Sequence, residues 1–171
     1  LISNKGKIEA LIYASGNQGI SLAQIIDLIK IDTNQIKLII DDLNDDLLHN
    51  QDSGLLILNS ANKYRFATKP CVNNLITDLV GKDSIKLSQS NLETLTIIAY
   101  EQPITRIEID EIRGVNSSRT IQKLLDLNLI LKNGKKDALG NPTLYATTQK
   151  FLEVFGLNSL KDLPNTNIKE K

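Results

Sequence analysis

Leu55-Leu56-Ile57-Leu58-Asn59-Ser60-Ala61-Asn62-Lys63-Tyr64-Arg65-Phe66-Ala67-Thr68 breaks the helical spacing that governs everything before it. Leu55 to Leu58 is short and β-prone, and Asn59 to Asn62 is turn chemistry. Tyr64, Phe66 and Thr68 then alternate with Arg65 and Ala67, so the stretch reads as a β-hairpin. Upstream, Ile8, Leu11, Ile12 and Ala14 keep helical spacing from Lys7 to Ser15, and Gly16 supplies a stop. Ser21 caps a second helix carrying Leu22, Ile25, Ile26 and Ile29; Asp32 or Thr33 caps a third with Ile36, Ile39, Ile40, Leu43 and Leu47 on one face. Three helices followed by a hairpin is the winged-helix arrangement, in which the second and third helices form a helix-turn-helix. A further helix is expected from Cys71 to Val80, and Gly81-Lys82-Asp83-Ser84 begins a connection.

The same order then recurs. Ser90 is expected to cap Leu92 to Tyr100, Pro103 breaks that helix, and Thr105 with Glu108 forms a capping box for Ile107 to Arg113. Gly114 ends it, and Asn116 or Ser117 opens a helix through Ile121, Leu124, Leu125 and Leu127. Leu129 to Lys132 reads as a strand, Asn133-Gly134 as a turn and Thr143 to Ala146 as the returning strand. Thr147 or Thr148 caps Phe151 to Phe155, and Gly156 closes that helix. The expected fold class is mainly α with small β-hairpins (α+β), as two tandem winged-helix domains at 5–80 and 88–163 and a disordered tail at 164–171.

Composition narrows the function. Of 171 residues, 41 % are hydrophobic and 23 % charged, but only 4 % are aromatic, with no Trp or Met, so Ile and Leu must supply nearly all the buried volume. Formal net charge is zero, which leaves no global field to draw the chain to nucleic acid or an anionic membrane. Residues 1–85 hold eight Lys or Arg against ten Asp or Glu, and residues 86–171 hold twelve against ten, so DNA contact, if any, belongs to the second half. Every stretch of membrane-spanning length contains charges and no signal core is visible, which predicts a soluble cytosolic protein without membrane contact; Leu1 reads as a trimmed end. The single Cys71 excludes an intramolecular disulfide and a multi-cysteine metal site, and reads as a small buried hydrophobe.

No set of residues assembles a nucleophile, a base and an oxyanion donor, so no catalytic, cofactor or metal residue is expected. His49 stands alone at a helix end, and Gly134-Lys135-Lys136 lacks the flanks of a phosphate loop. Asp41, Asp42, Asp45 and Asp46 give the third helix an acidic outer face that would repel phosphates and reads as solvated. In the second half Arg106, Arg113, Arg119 and Lys123 fall on or beside the helix-turn-helix, and Lys132, Lys135 and Lys136 on the wing. Arg119, Lys123, Lys132, Lys135 and Lys136 are the candidate DNA contacts; the competing reading is a mixed surface, because Glu108, Asp110, Glu111 and Asp126 interleave with these cations. Ile8, Leu11 and Ile12 exceed what one small core must hide, which points to self-association through the first helix. Tyr100 and Arg106 flank Pro103 and are residue types that anchor interfaces, with core packing of the ring as the plainer alternative.

Leu92-Glu93-Thr94-Leu95-Thr96-Ile97-Ile98-Ala99-Tyr100-Glu101-Gln102-Pro103-Ile104-Thr105-Arg106, followed by Glu108-Ile109-Asp110-Glu111-Ile112-Arg113-Gly114-Val115-Asn116, resembles the signature of the bacterial segregation and condensation protein B family, ScpB. Gly140, Pro142, Leu144-Tyr145, Thr147-Thr148, Phe151-Leu152 and Phe155-Gly156-Leu157 resemble its C-terminal pattern, as do Ser159-Leu160 and Asp162-Leu163-Pro164. Ile8-Glu9-Ala10-Leu11 and Tyr64-Arg65 with Thr68-Lys69-Pro70 agree more loosely, and Asn141 stands where the family commonly has Arg. The resemblance implies a non-enzymatic subunit of the condensin-like SMC complex in chromosome condensation and segregation. It implies a homodimer, formed largely through the N-terminal domain, that binds the kleisin ScpA and reaches SMC through it. It also implies a cytoplasmic, nucleoid-associated protein that meets DNA mainly through the complex. Joined to the local cations, it makes Tyr100, Arg106 and Arg113 the candidate kleisin interface. The alternative is a winged-helix transcriptional regulator, which should carry a basic third helix.

Overall fold

The aliphatic side chains sort into two clusters with no member in common. Ile8, Ile12, Ile20, Ile25, Ile36, Ile40, Leu43 and Ile57 form one core. Leu95, Ile98, Ala99, Ile104, Ile109, Ile121, Leu124, Leu129, Ile130 and Phe151 form the other. The computed structural model describes residues 1–80 and 87–164, and the chain divides into two compact units, Leu1–Ser84 and Ile85–Lys171.

Unit 1 begins with helix α1 (Asn4–Ala14), capped by the Ser3 hydroxyl, which accepts from the Gly6 N–H. A two-residue strand β1 (Ile20–Ser21) leads into α2 (Leu22–Ile29) and α3 (Thr33–His49). The hairpin β2 (Leu55–Ser60) and β3 (Lys63–Thr68) follows, then a 3-10 turn at Pro70–Val72 and α4 (Asn73–Val80). The strands form an antiparallel sheet in the order β1-β3-β2. Ser21 belongs to β1 and also caps α2: its hydroxyl accepts from the Gln24 N–H, while the Gln24 carboxamide oxygen accepts from the Ser21 N–H at 2.9 Å. Gly19 is required just before it, at φ +65 with the Tyr64 carbonyl oxygen 3.0 Å from where a Cβ would sit.

Unit 2 repeats the order. Helix α5 (Gln89–Glu101) is followed by β4 (Ile104–Thr105), α6 (Arg106–Arg113) and α7 (Ser118–Asp126). The hairpin β5 (Ile130–Lys135) and β6 (Thr143–Thr147) follows, then α8 (Gln149–Phe155) and a 3-10 turn at Leu160–Asp162. The sheet order is β4-β6-β5. Thr105 and Glu108 form the expected capping box, with Thr105 also paired in the sheet to Leu144. Gln102 ties the end of α5 to β6, its carboxamide oxygen accepting from the Thr147 N–H at 2.8 Å.

The fold class is α+β, mainly helical with small antiparallel sheets, and both units run in the order helix, strand, helix, helix, hairpin. Several local expectations are corrected. Strands β2 and β3 run closer together than expected, so the turn is only Ala61-Asn62, both at positive φ, as a two-residue hairpin loop demands. Asn133-Gly134 is not the second turn: it lies inside β5 at a register shift between Lys132 and Lys135, and the chain reverses after Lys136. The α5 cap is Ser88 rather than Ser90, whose hydroxyl accepts from Arg113 instead. Cys71 is exposed, because the 3-10 turn after Pro70 faces it to solvent. The expected connection at Gly81–Ser84 and the tail beyond Pro164 lie outside the described residues.

Because each unit holds its own aliphatic core, Ile12→Ala in unit 1 and Leu124→Ala in unit 2, both removing fully buried side chains, should each cost about 2–5 kcal/mol. Urea unfolding followed by circular dichroism checks this through lowered midpoints.

Candidate functional site

Helix α1 is apolar on two sides. Ile8 and Ile12 have 0 % exposure and point into the core, so they are not available to a partner, and the expected dimer residues are corrected on that ground. Leu11, the third of them, is half-buried on the outer side, where it lines a shallow apolar hollow of about 530 Å³ with Ile2, Ala10, Ala14, Leu28 and Ile29. Ile2 and Ala10 also border a second hollow of about 480 Å³, closed by Tyr13, Leu47, Leu55 and Phe66. Tyr13 is 78 % exposed, and Ile2 and Leu28 are each 63 % exposed. Composition did not single out these three; an apolar helix with residues on both sides was the available signal.

The acidic run on α3 is partly neutralised within the unit. Lys5 on α1 pairs with Asp42 and Asp46, and hydrogen bonds to these two carboxylates push its pKa up. Asp41 and Asp45 stay exposed on the same helix. His49, at the end of α3, donates from Nδ1 to the Asp45 carbonyl at 2.8 Å.

The three expected kleisin residues of unit 2 do not form one cluster. The half-buried Tyr100 lines a hollow of about 150 Å³ between α5 and α8, with Leu92, Leu95, Thr96, Phe155 and Leu163, and its hydroxyl donates to the Pro164 carbonyl at 2.7 Å. Phe151 and Phe155 floor this region with ring centroids 4.8 Å apart. Arg106, at the start of α6, is half-exposed and bonds Asp110 one turn on at 2.8 Å. Arg113, at the other end of α6, has a side chain only 8 % exposed. Its guanidinium donates to the Ser117 and Ser90 hydroxyls at 3.1 and 3.0 Å and to Glu93 at 3.4 Å, which locks α6 to α5 and α7. Ser90 and Tyr100 are ten residues apart on α5, about 15 Å along its axis, so Arg113 is a structural clamp away from the Tyr100 hollow. Its Nε is buried without a hydrogen-bond partner among the described residues.

The basic candidates separate into two groups. Arg119 and Lys123 are exposed on α7, and Lys132 and Lys135 are exposed on β5. Lys136, the fifth candidate, is instead paired with Glu108. The Lys136 ammonium, then the N–H and hydroxyl of Thr105, lower the Glu108 pKa to about 2. Among the described residues no group of three or more His, Cys, Asp or Glu is placed to hold a metal ion, and no helix is long and apolar enough to cross a membrane.

The model of the family described as segregation and condensation complex subunit ScpB matches residues 6–166. Segregation and condensation protein B of Streptococcus equi subsp. zooepidemicus is 42 % identical over 159 residues, covering 92 % of this chain and 88 % of that protein. The protein of the same name from Oceanobacillus iheyensis is 44 % identical over 161 residues, covering 94 % and 83 %. Among solved structures, a dimer of an ScpB N-terminal domain complexed with an ScpA peptide matches at 26 % identity and a TM-score of 0.42, covering 47 % of this chain and 91 % of that one.

The Glu108 geometry fixes a pH dependence. A carboxyl lowered from 4.5 to about 2 by folding contributes stability that is fully present above its ordinary pKa and is lost as pH falls through the folded value. Glu108→Gln should therefore be less stable than the parent above pH ~5 and converge with it near pH ~2. Urea midpoints measured across that range check the convergence.

Proposed function

This chain belongs to the family of segregation and condensation complex subunit ScpB, and on that premise we propose that it is a non-catalytic subunit of a condensin-like complex, pairing with a second copy through unit 1 and binding the kleisin ScpA through unit 2. In this reading it reaches SMC through the kleisin, works in the cytoplasm at the nucleoid, and meets DNA mainly as part of the assembly. The regulator alternative is disfavoured by α3, the helix that would enter a groove, which presents Asp41, Asp42, Asp45 and Asp46.

The outward side of α1 carries the proposal. Ile2, Leu11, Tyr13 and Leu28 surround two apolar hollows on one small unit. An apolar ridge flanked by hollows suits a two-fold interface, in which each copy offers the same surface to the other. A stable pair needs roughly 1,200–2,000 Å² of total buried area, which requires the ridge of α1 and the hollows on both of its sides rather than Leu11 alone.

For the kleisin, the support is the hollow between α5 and α8. Its volume of about 150 Å³ matches cavities that accept a benzene-sized apolar group, so one large side chain from a kleisin helix fills it. Leu92 and Phe155 remain partly exposed at its mouth. Arg106, already paired with Asp110, contributes as a rim charge, which is a smaller effect than that of a buried anchor.

Two outcomes follow. Leu11→Glu with Tyr13→Glu should leave a folded monomer at tens of micromolar, an order-of-magnitude concentration at which the parent dimer persists; sedimentation equilibrium reads this, and an unchanged dimer refutes the α1 interface. Leu92→Glu should weaken binding of the ScpA central segment at least about tenfold, the effect of losing ~1.4 kcal/mol. Arg106→Ala should cost only a few-fold, both by calorimetry on variants with parental circular dichroism. Unchanged affinity in Leu92→Glu moves the kleisin site off this hollow.

A further inference from the structure

Unit 2 engages several of its acidic side chains internally and leaves a set of cations without partners among the described residues. Glu108 is taken by Thr105 and Lys136, and Asp110 by Arg106 and the Ser117 N–H, the latter at 2.6 Å. Glu93 accepts from Arg113 and Gln89, and Asp126 from Gln122. Arg119, Lys123, Lys132 and Lys135 are exposed and have no hydrogen-bond or ion-pair partner among the described residues. Asp126 and Asp137 are the exposed carboxylates nearest to them in sequence, with Glu111 next, and Asp126 already accepts from Gln122.

The register of β5 brings two of these cations to one face. Lys132 pairs with Tyr145 and Lys135 with Thr143, so three residues of β5 advance against two of β6. Tyr145 and Thr143 are two apart on a strand and share a face, so Lys132 and Lys135 share that face as well. Without the extra residue at Asn133-Gly134, where Gly134 has φ +83, lysines three apart would point to opposite sides. The shared face is also that of Ile130, which pairs with Thr147 and is buried in the core with Ile121 and Leu124 of α7. Arg119 and Lys123 are one turn apart on the outer side of α7, about 6 Å along the axis.

We propose that unit 2 docks on double-stranded DNA through the phosphate backbone, with α7 supplying Arg119 and Lys123 and the face of β5 made common by its bulge supplying Lys132 and Lys135. This interaction is separate from self-association and kleisin binding and does not depend on either. Charge complementarity selects the occupant: four unpaired cations on a helix and an adjoining strand match a row of phosphates. The outer side of α7 offers no free base-reading amide, since Gln122 is bonded to Asp126 at 2.8 Å, so binding is independent of sequence. Such binding lies at roughly 10⁻⁴–10⁻⁶ M, with log affinity falling against log salt at a slope of about −0.9 per neutralised phosphate, so about −3 to −4 here.

The test is fluorescence anisotropy of a labelled duplex of roughly 20 base pairs, two helical turns, titrated with the full chain at several KCl concentrations. Arg119→Gln with Lys123→Gln, and Lys132→Gln with Lys135→Gln, should each weaken binding at least about tenfold at low salt and lower the slope by about 2. Lys150→Gln with Lys161→Gln removes the same charge from exposed positions elsewhere on the unit and should change affinity less than about twofold. No binding at low salt overturns the proposal. So does an equal loss in the Lys150/Lys161 variant, which would mean net charge alone, or binding of polyglutamate as tight as that of the duplex, which would make the surface one for acidic peptides.

Discussion

The junction between a two-residue strand and the helix after it holds each unit together. At Ile20-Ser21 and at Ile104-Thr105 the first residue is buried in the core and the second pairs with the returning strand of the hairpin. That second residue also closes a capping box with the third residue of the next helix, Gln24 or Glu108. One short segment thus satisfies orphan N–H groups at a helix start, fixes the register of the sheet and places an apolar anchor. The helix-turn-helix and the hairpin cannot shift relative to each other within a unit without breaking all three at once.

A single difference at this junction separates the units electrostatically. Gln24 is neutral and serves only the cap, whereas Glu108 is charged and also reaches across to Lys136 beyond β5. In unit 1 the long-range ion pairs instead join α1 to α3, where Lys5 meets Asp42 and Asp46 while Asp41 and Asp45 remain exposed. Equivalent frameworks therefore present an acidic helix in one unit and a helix with exposed cations in the other, although the whole chain is formally neutral.

Much of this was legible because its signals are local. The capping box at Thr105 and Glu108 and the stop at Gly156 depend on residues within three of a helix end and are found as read, and of the two caps open for α3, Asp32 or Thr33, Asp32 serves. Strands β1 and β4 were missed because two residues carry no alternation, and their pairing comes from a hairpin about forty residues later. Asn133-Gly134 has the composition of a turn, but the same positive-φ freedom serves a bulge, and only the pairing with β6 separates the two. Ser90 reads as the α5 cap, but Ser88 takes that place and Ser90 accepts from Arg113, 23 positions away, a partner that local sequence does not show. Ile8 and Ile12 failed as surface candidates for a related reason: α1 is apolar on both sides, and the spacing alone does not say which side faces the core.

Arg113 illustrates how a folded unit withdraws residues from outside use. An arginine near a helix end beside other cations reads as a contact, yet burial makes it a cross-brace whose polar atoms require local partners. Its Nε lacks one among the described residues, and a buried donor left unmet costs roughly 1–3 kcal/mol. The two hydroxyls and the Glu93 carboxylate that the rest of the guanidinium holds must offset this cost, which ties the positions of α5, α6 and α7 to one side chain. The same withdrawal affects Lys136 and, through its hydroxyl, Tyr100. Among the side chains left exposed are Tyr13 and Leu28 around α1, Leu92 and Phe155 at the α5 and α8 hollow, and the four cations of α7 and β5. A surface residue is available in proportion to what its own unit has failed to satisfy, and that quantity is set by tertiary pairing, which residue type alone does not reveal.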